Sequence, residues 1–333
     1  MCFYATPSPN TNTKLVFLLI FSKFFIILML INTFGYSTIS EEQHLSPISG
    51  TVCNSAAVRV MSFNIRYGSA LDGKNSWRYR RGQVSSILRE QDADIIGLQE
   101  ALRFQLSEIN SSMDDYTEIG FGRDDGDTLG EYSPILYKKS RFTALKSGTL
   151  WFSDTPLTPG SKHWGNKYPR IFTFAKLTDK ITGRKILVYN VHLDHANSYS
   201  RWRSISLLHD HIKKHKCAET SLILLGDFNS GENSAVIKYM TGRANFRNSK
   251  DPASRNPLPL KDTFRYINPR GFGGTFHMFW GKSFGPRLDY IFVSNDAKIK
   301  DASIIRSNVN GRYPSDHFPI TAEILFSSPK NLF

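Results

Sequence analysis

The chain has 333 residues, of which 40% are apolar and 21% charged. This composition excludes a collagen-like, low-complexity or broadly disordered protein, and the lack of any block recurring at a fixed period excludes a solenoid or propeller. The net charge of +13 favours anionic partners, without choosing among nucleic acid, anionic lipid and phosphorylated metabolites.

Residues 1–40 differ in kind from the rest of the chain. They carry Lys14 and Lys23 and no acid, with apolar runs from Leu15 to Phe21 and from Phe24 to Ile31. A basic stretch, an apolar stretch and small residues near Ser37 to Ser40 form the pattern of a signal peptide. A membrane span over 15–34 would have about the 20-residue length required, but Lys23 near its centre costs about 2.5–3.5 kcal/mol. The pattern therefore predicts a signal peptide over 1–40, with an uncleaved signal anchor as the alternative, and a linker over 41–55. The expected product is secreted, or tethered to a membrane through that segment alone. Loss of Lys14 and Lys23 would lower the net charge from +13 to +11. Cys53 and Cys217 form an even pair that an oxidising compartment could join, and neither has zinc-ligand spacing. Asn110-Ser111-Ser112 offers a glycosylation acceptor if the chain enters the secretory route.

From Val58 onward short β-rich runs alternate with helical patterns. Strands are expected at Val58 to Ile65 and Asp94 to Gln99, and helices at Arg78 to Arg89 and Leu102 to Met113. Further strands are expected at Ser133 to Tyr137, Gly148 to Phe152, Ile171 to Leu177 and Ile186 to Leu193, with antiparallel pairing of consecutive strands. A helix at Tyr199 to Lys214 and strands at Ser221 to Gly226, Leu288 to Val293 and Phe318 to Leu325 complete the set. The mixture predicts an α+β layered fold. Asn248 to Pro259 reads as a loop insertion, and 56–328 as a single domain.

Polar residues recur where apolar strands end. Asn64 closes one, Glu100 another and His192 a third, while Asp227 and Asn229 come just after Ile223-Leu224-Leu225-Gly226. Strand ends bring side chains from distant positions to one rim. Each carboxylate alone is more often a turn former or helix cap.

Together these pieces resemble the endonuclease/exonuclease/phosphatase superfamily. The motifs are Phe63-Asn64-Ile65-Arg66, Leu98-Gln99-Glu100, Asn190-Val191-His192-Leu193-Asp194-His195, Gly226-Asp227-Phe228-Asn229, Arg287-Leu288-Asp289-Tyr290-Ile291-Phe292 and Ser315-Asp316-His317-Phe318-Pro319. They occur in the family's order across nearly the whole chain after residue 56. The resemblance implies a four-layer αββα sandwich, deoxyribonuclease-like, made of two mainly antiparallel sheets flanked by helices, with the site at its rim. It also implies a Mg²⁺-dependent phosphoesterase, with Mn²⁺ as an alternative metal. Glu100 is then the direct metal ligand with Asn64 beside it, and Asp316 a second or water-mediated ligand. Asp227 or His317 would deprotonate the attacking water, Asp289 would orient His317, and Asn229 and His192 would donate to the non-bridging oxygens.

His195 stands three residues after His192, and on a strand such residues face opposite ways, which argues against a joint chelate. His277 is a candidate pocket residue, with a backbone-bonded loop histidine as the plain alternative. Asn75-Ser76-Trp77-Arg78, Gly122-Arg123-Asp124-Asp125-Gly126, Gly130-Glu131-Tyr132-Ser133-Pro134 and Gly311-Arg312-Tyr313-Pro314 resemble a branch of the family whose substrates are largely unassigned. Arg123 there is a candidate substrate clamp, with an ion pair to Asp124 or Asp125 as the alternative. Leu224 and Leu288-Asp289-Tyr290 depart from the inositol polyphosphate 5-phosphatases. The expected partner is an anionic phosphorylated substrate: a phosphodiester of nucleic acid or phospholipid, or a sugar phosphomonoester. No obligate protein partner is evident. A catalytically silent ligand-binding module on the same fold is the alternative function.

Overall fold

The structure, a computed structural model, describes residues 56–245 and 255–326. The predicted signal segment, the linker, Cys53 and most of the Asn248 to Pro259 insertion lie outside the described residues. Cys217 is exposed. Among the described residues, no helix is long and apolar enough to cross a membrane.

Among the described residues, twelve strands form two six-stranded sheets. The first contains β1 (Val58–Asn64), β2 (Ile95–Gln99), β3 (Tyr116–Ile119), β4 (Ile135–Lys138), β11 (Ala297–Ile304) and β12 (Ile320–Phe326), in the order β11-β12-β1-β2-β4-β3. The second contains β5 (Phe142–Trp151), β6 (Ile171–Asp179), β7 (Lys185–His192), β8 (Thr220–Asp227), β9 (Lys261–Asp262) and β10 (Asp289–Val293), in the order β5-β6-β7-β8-β10-β9. Among the described strand pairs, β1 with β2 and β7 with β8 run parallel. All the other paired strands are antiparallel.

Strand alternation builds the layers. On β7, Ile186 and Val188 face the opposite sheet, while Leu187, Tyr189 and Val191 face outward. The outward set packs under α3 (Ser198–His215) and α4 (Ala235–Met240). On the far side, Met61, Phe63, Ile96 and Leu98 pack under α1 (Trp77–Gln91) and α2 (Arg103–Asn110). The result is the four-layer αββα sandwich. Each fully buried aliphatic side chain in these layers contributes about 1.5–3 kcal/mol.

The helices form where local chemistry allows. In α1, Val84, Ile87 and Leu88 recur on one buried face, and the helix stops at Asp92, whose left-handed backbone ends it. The Asn197 side chain caps α3 by accepting from the amides of Tyr199 and Ser200.

Two sequence expectations need correction. β4 and β5 do not pair, because β4 lies between β2 and β3 in the first sheet while β5 starts the second. Consecutive strands join only when the connection keeps the chain in one layer, and here it changes layer. β5 also begins at Phe142, six residues before the expected Gly148, since its first half is an exposed edge without an apolar run.

The two sheets touch closely beneath the site. A Cβ on Gly97 would lie 2.0 Å from Leu225 Cδ1 and 2.8 Å from Asn190 Cγ, so no side chain fits there. Asn190 crosses the gap, donating to the carbonyls of Leu98 (2.7 Å) and Pro134 (2.8 Å), while Gln99 Nε2 donates to Asn190 Oδ1 at 2.7 Å. This buried polar tie sets the separation of the strand ends that carry the functional groups.

Candidate active site

The C-terminal ends of β1, β2, β7 and β8 and the start of β10 meet at one rim of the sandwich. Asn64 ends β1 and is fully buried. Its amide nitrogen donates to Glu100 Oε1 at 3.0 Å and to Asp227 Oδ2 at 3.1 Å, joining the two sheets. Its oxygen accepts from the Arg66 amide at 3.0 Å. Glu100 Oε2 accepts from the Tyr67 amide at 3.1 Å. Asp289 lies directly across from Asp227 in the β8–β10 register, and His192 lies beside Asp227 in the β7–β8 register. Arg66, Glu100 and Asn229 all take left-handed backbone conformations. Such conformations cost on the order of 1–3 kcal/mol each and concentrate at functional sites.

Asp227 is the centre of this arrangement. Its Oδ2 lies 3.7 Å from His192 Nε2 and 3.9 Å from His317 Nε2, and its Oδ1 accepts from the Asn229 amide at 2.8 Å. Burial and the facing Asp289 carboxylate push its pKa up to about 7. His317 places Nδ1 2.8 Å from Asp289 Oδ2. Burial opposes its charge, but Asp289, Asp227 and Asp316 outweigh it and raise the ring's pKa to about 10. Burial also raises Asp316, with Glu100 adding to the shift. The ligand atoms of Asp227, Asp289 and His317 all lie within 4.8 Å of one another, and Asp289 Oδ1 is buried without a hydrogen-bond partner. The carboxylate oxygens of Asp227 and Asp289, one of them unsatisfied, together with Glu100 and Asp316 from the other sheet's side, give this rim the hard oxygen donors that a divalent cation takes.

All eight motif residues named from the sequence, Asn64, Glu100, His192, Asp227, Asn229, Asp289, Asp316 and His317, come to this rim. Asn229 directs its amide nitrogen to the Leu193 carbonyl at 3.0 Å. Asp316 lies 3.9 Å from Arg66, and its neighbour Ser315 donates from Oγ to the Asn64 carbonyl at 2.7 Å. His277 sits behind them. Its ring stacks on Phe318 with centroids 3.8 Å apart, its Nδ1 accepts from the Gly281 amide, and its backbone amide donates to the Asp316 carbonyl. Burial and nearby His317 lower its pKa to about 4, so the ring is neutral at pH 7. Arg123 is buried and donates to Glu131 Oε2 at 2.6 Å, while Asp124 is more distant at 3.9 Å. Arg123 thus adjoins the site through Glu131, which itself faces His192 Nδ1 at 3.7 Å.

Residues 61–317 match the Endonuclease/Exonuclease/phosphatase family. The chain belongs to that family. Its members are divalent-metal-dependent phosphoesterases, nucleases and phosphatases among them. An endonuclease/exonuclease/phosphatase from Bacteroides vulgatus is 32% identical with a TM-score of 0.73, covering 82% of this chain and 100% of that one. A mannosyl-6-phosphatase of Bacteroides thetaiotaomicron VPI-5482 is 30% identical with a TM-score of 0.71, covering 81% of this chain and 100% of that one. The CCR4-Not complex 3'-5'-exoribonuclease subunit Ccr4 of Emericella nidulans is 22% identical across 84% of this chain, which spans 51% of that subunit.

One group at the family rim was not singled out from the sequence. Arg170 is buried just before β6, with Nη1 3.1 Å from His192 Nε2 and Nη2 2.8 Å from His195 Nδ1. Strand alternation therefore does not keep His192 and His195 apart, contrary to expectation. β7 ends at His192, and the turn held by Asp194, which accepts from the amides of Ala196 and Asn197, brings both rings to one guanidinium. Arg170 lies in none of the family motifs quoted above, so the sequence carries no signal for it. A guanidinium can only donate, so His192 Nε2 accepts and the ring carries its proton on Nδ1, toward Glu131. Burial, Arg170 and Arg123 all lower the His192 pKa well below 6.5. Nitrogen-detected NMR should accordingly find His192 neutral, protonated on Nδ1, with a titration midpoint far below that of an ordinary histidine. A midpoint at or above 6.5 contradicts this placement.

Proposed function

We propose that this protein is a Mg²⁺-dependent phosphoesterase, with Mn²⁺ as an alternative metal, that cleaves its substrate by in-line attack of an activated water. The observation that carries the reading is the position of Asp227, which faces His192 and His317 and is tied through Asn64 to Glu100. Glu100 and Asp316 would hold the cation, with Asn64 ordering the Glu100 carboxylate. When bound, that cation neutralises charge developing on the phosphoryl oxygens.

The chain's own residues divide the remaining work. Asp289 at Nδ1 and Asp227 facing Nε2 stabilise His317 in its charged form, which suits it to donate to a phosphoryl oxygen. Asp227 is then the group left to accept the proton of the attacking water. Its Oδ1 is held by the Asn229 amide, so Oδ2 remains directed at the site. Asn229 and His192 border the space where non-bridging oxygens would lie, and Arg123 and Arg170 add positive charge behind His192. His277 supports Asp316 through its backbone and bounds the pocket with its ring.

The relatives point to two substrate chemistries, a phosphomonoester on a sugar and a phosphodiester of nucleic acid; a phospholipid ester is the third to test. Offered all three with Mg²⁺, the purified protein should turn over at least one, and EDTA should abolish that activity. Glu100→Ala and His317→Ala should each lower turnover by about 100-fold or more, the scale of one lost catalytic contact. Near-wild-type turnover in either variant removes that residue from the mechanism.

Export belongs to the same proposal: a mature enzyme of about 56–328 follows a signal peptide, or remains tethered by it. The basic and apolar order of residues 1–40 supports this. N-terminal sequencing of the native protein should begin beyond the apolar run or find the protein in a membrane fraction. An intact Met1 in a soluble cytosolic pool refutes export.

A further inference from the structure

An open cavity of about 470 Å³ lies beside the catalytic rim, lined by Gly73, Lys74, Arg78, Tyr79 and Arg312. Three of its five lining residues are cations and none is an acid. Elsewhere in the described molecule several arginines have acidic partners: Arg66 with Asp72, Arg103 with Glu118, Arg141 with Asp94 and Asp179, Arg287 with Asp262. Among the described residues, Lys74, Arg78 and Arg312 form no ion pair. Like charges converging on one concavity repel each other, and an anion relieves that repulsion.

The cavity is built onto the site. One wall is the turn and first residues of α1, the other the turn closed between Val309 and Arg312. Arg80, which is buried, joins them: its guanidinium donates to the carbonyls of Asn75 and Pro314, and also to those of Ile65 and Arg66 at the end of β1. The same guanidinium therefore fixes both walls relative to Asn64. Arg312 stands four residues before Asp316. Arg78 also lies 4.5 Å over the ring of Tyr79, whose surface is half exposed, so an aromatic face adjoins the cations.

We propose that this cavity is a second anion subsite that takes a flanking phosphate of a single nucleic-acid strand while another phosphate occupies the catalytic centre. The proposal rests on the phosphoesterase reading above and gives it a substrate class. A sugar monophosphate has one phosphate and would leave the three cations unused. A strand presents a phosphate at each nucleotide, and its bases stack on exposed aromatic faces such as Tyr79. Phosphate contacts of this kind set register and affinity without reading sequence.

The test separates the subsite from the chemistry. Binding of a fluorescent single strand of about twelve nucleotides, within the usual footprint for such grooves, is followed by anisotropy in EDTA, where turnover is blocked. Turnover of bis(4-nitrophenyl) phosphate with Mg²⁺ reports the catalytic centre alone. The variant Lys74→Ala/Arg78→Ala/Arg312→Ala should bind the strand about tenfold or more weakly, with the dependence on log salt shallower by about one or more. It should still hydrolyse the small ester. A control with the same charge loss elsewhere, Lys185→Ala/Lys298→Ala/Lys300→Ala, should change binding far less. Arg312→Gln alone should give an intermediate loss if the triple variant folds poorly.

Equal strand binding by the triple variant and wild type overturns the proposal, as does an equal loss in the remote control. So does a triple variant that loses binding to phosphatidylserine vesicles but keeps binding to the strand. Failure of wild type to hydrolyse any ester defeats the phosphoesterase reading, and the binding comparison still judges the cavity.

Discussion

Crowded negative charge at the sandwich rim governs the rest of this molecule. Asp227 and Asp289 face each other across β8 and β10, and Glu100 and Asp316 join them from the other sheet's side. An unpaired buried carboxylate costs several kcal/mol, so each must have a counterpart. Asn64 supplies one by donating to two carboxylates at once, His317 another, and the amides of Tyr67 and Asn229 the next. One oxygen of Asp289 is reached by none of them and stays buried without a hydrogen-bond partner.

Holding such a set together demands rigid geometry underneath. Asn190 and Gln99 link the sheets through hydrogen bonds in a region too tight for any side chain at Gly97. Gly226 serves the same end: its backbone, at φ 138°, approaches Val191 so closely that a Cβ would lie 2.1 Å from the Val191 carbonyl oxygen. Asp227 can then stand level with His192. These contacts explain why residues spread from position 64 to 317 come together as one site.

Much of this was legible in the sequence because polar residues interrupt or end apolar strands, an uncommon pattern that singles out Asn64, Glu100, His192 and Asp227. Asp289, Asp316 and His317 were legible through the order of the family motifs. The less visible parts have physical reasons. β11, with alternating Lys298 and Lys300, and the exposed first half of β5 are edge segments without an apolar run. Arg170 and Glu131 look like ordinary surface charges until the fold buries one and brings the other to His192. The His192 and His195 pair escapes strand periodicity because its geometry depends on where the strand stops. Relatives with different substrates share this core, so substrate choice belongs to the loops and cavities around it, where single-sequence reasoning has least purchase.

If the rim acids form a divalent-cation site, the metal itself can be located there. Crystals of the protein grown with Mn²⁺ and measured for anomalous scattering at the manganese edge test this directly. A strong anomalous peak is expected in contact with Glu100 and Asp316, diminished or lost in Glu100→Ala. A peak elsewhere on the molecule, or none at this rim at millimolar metal, would contradict it.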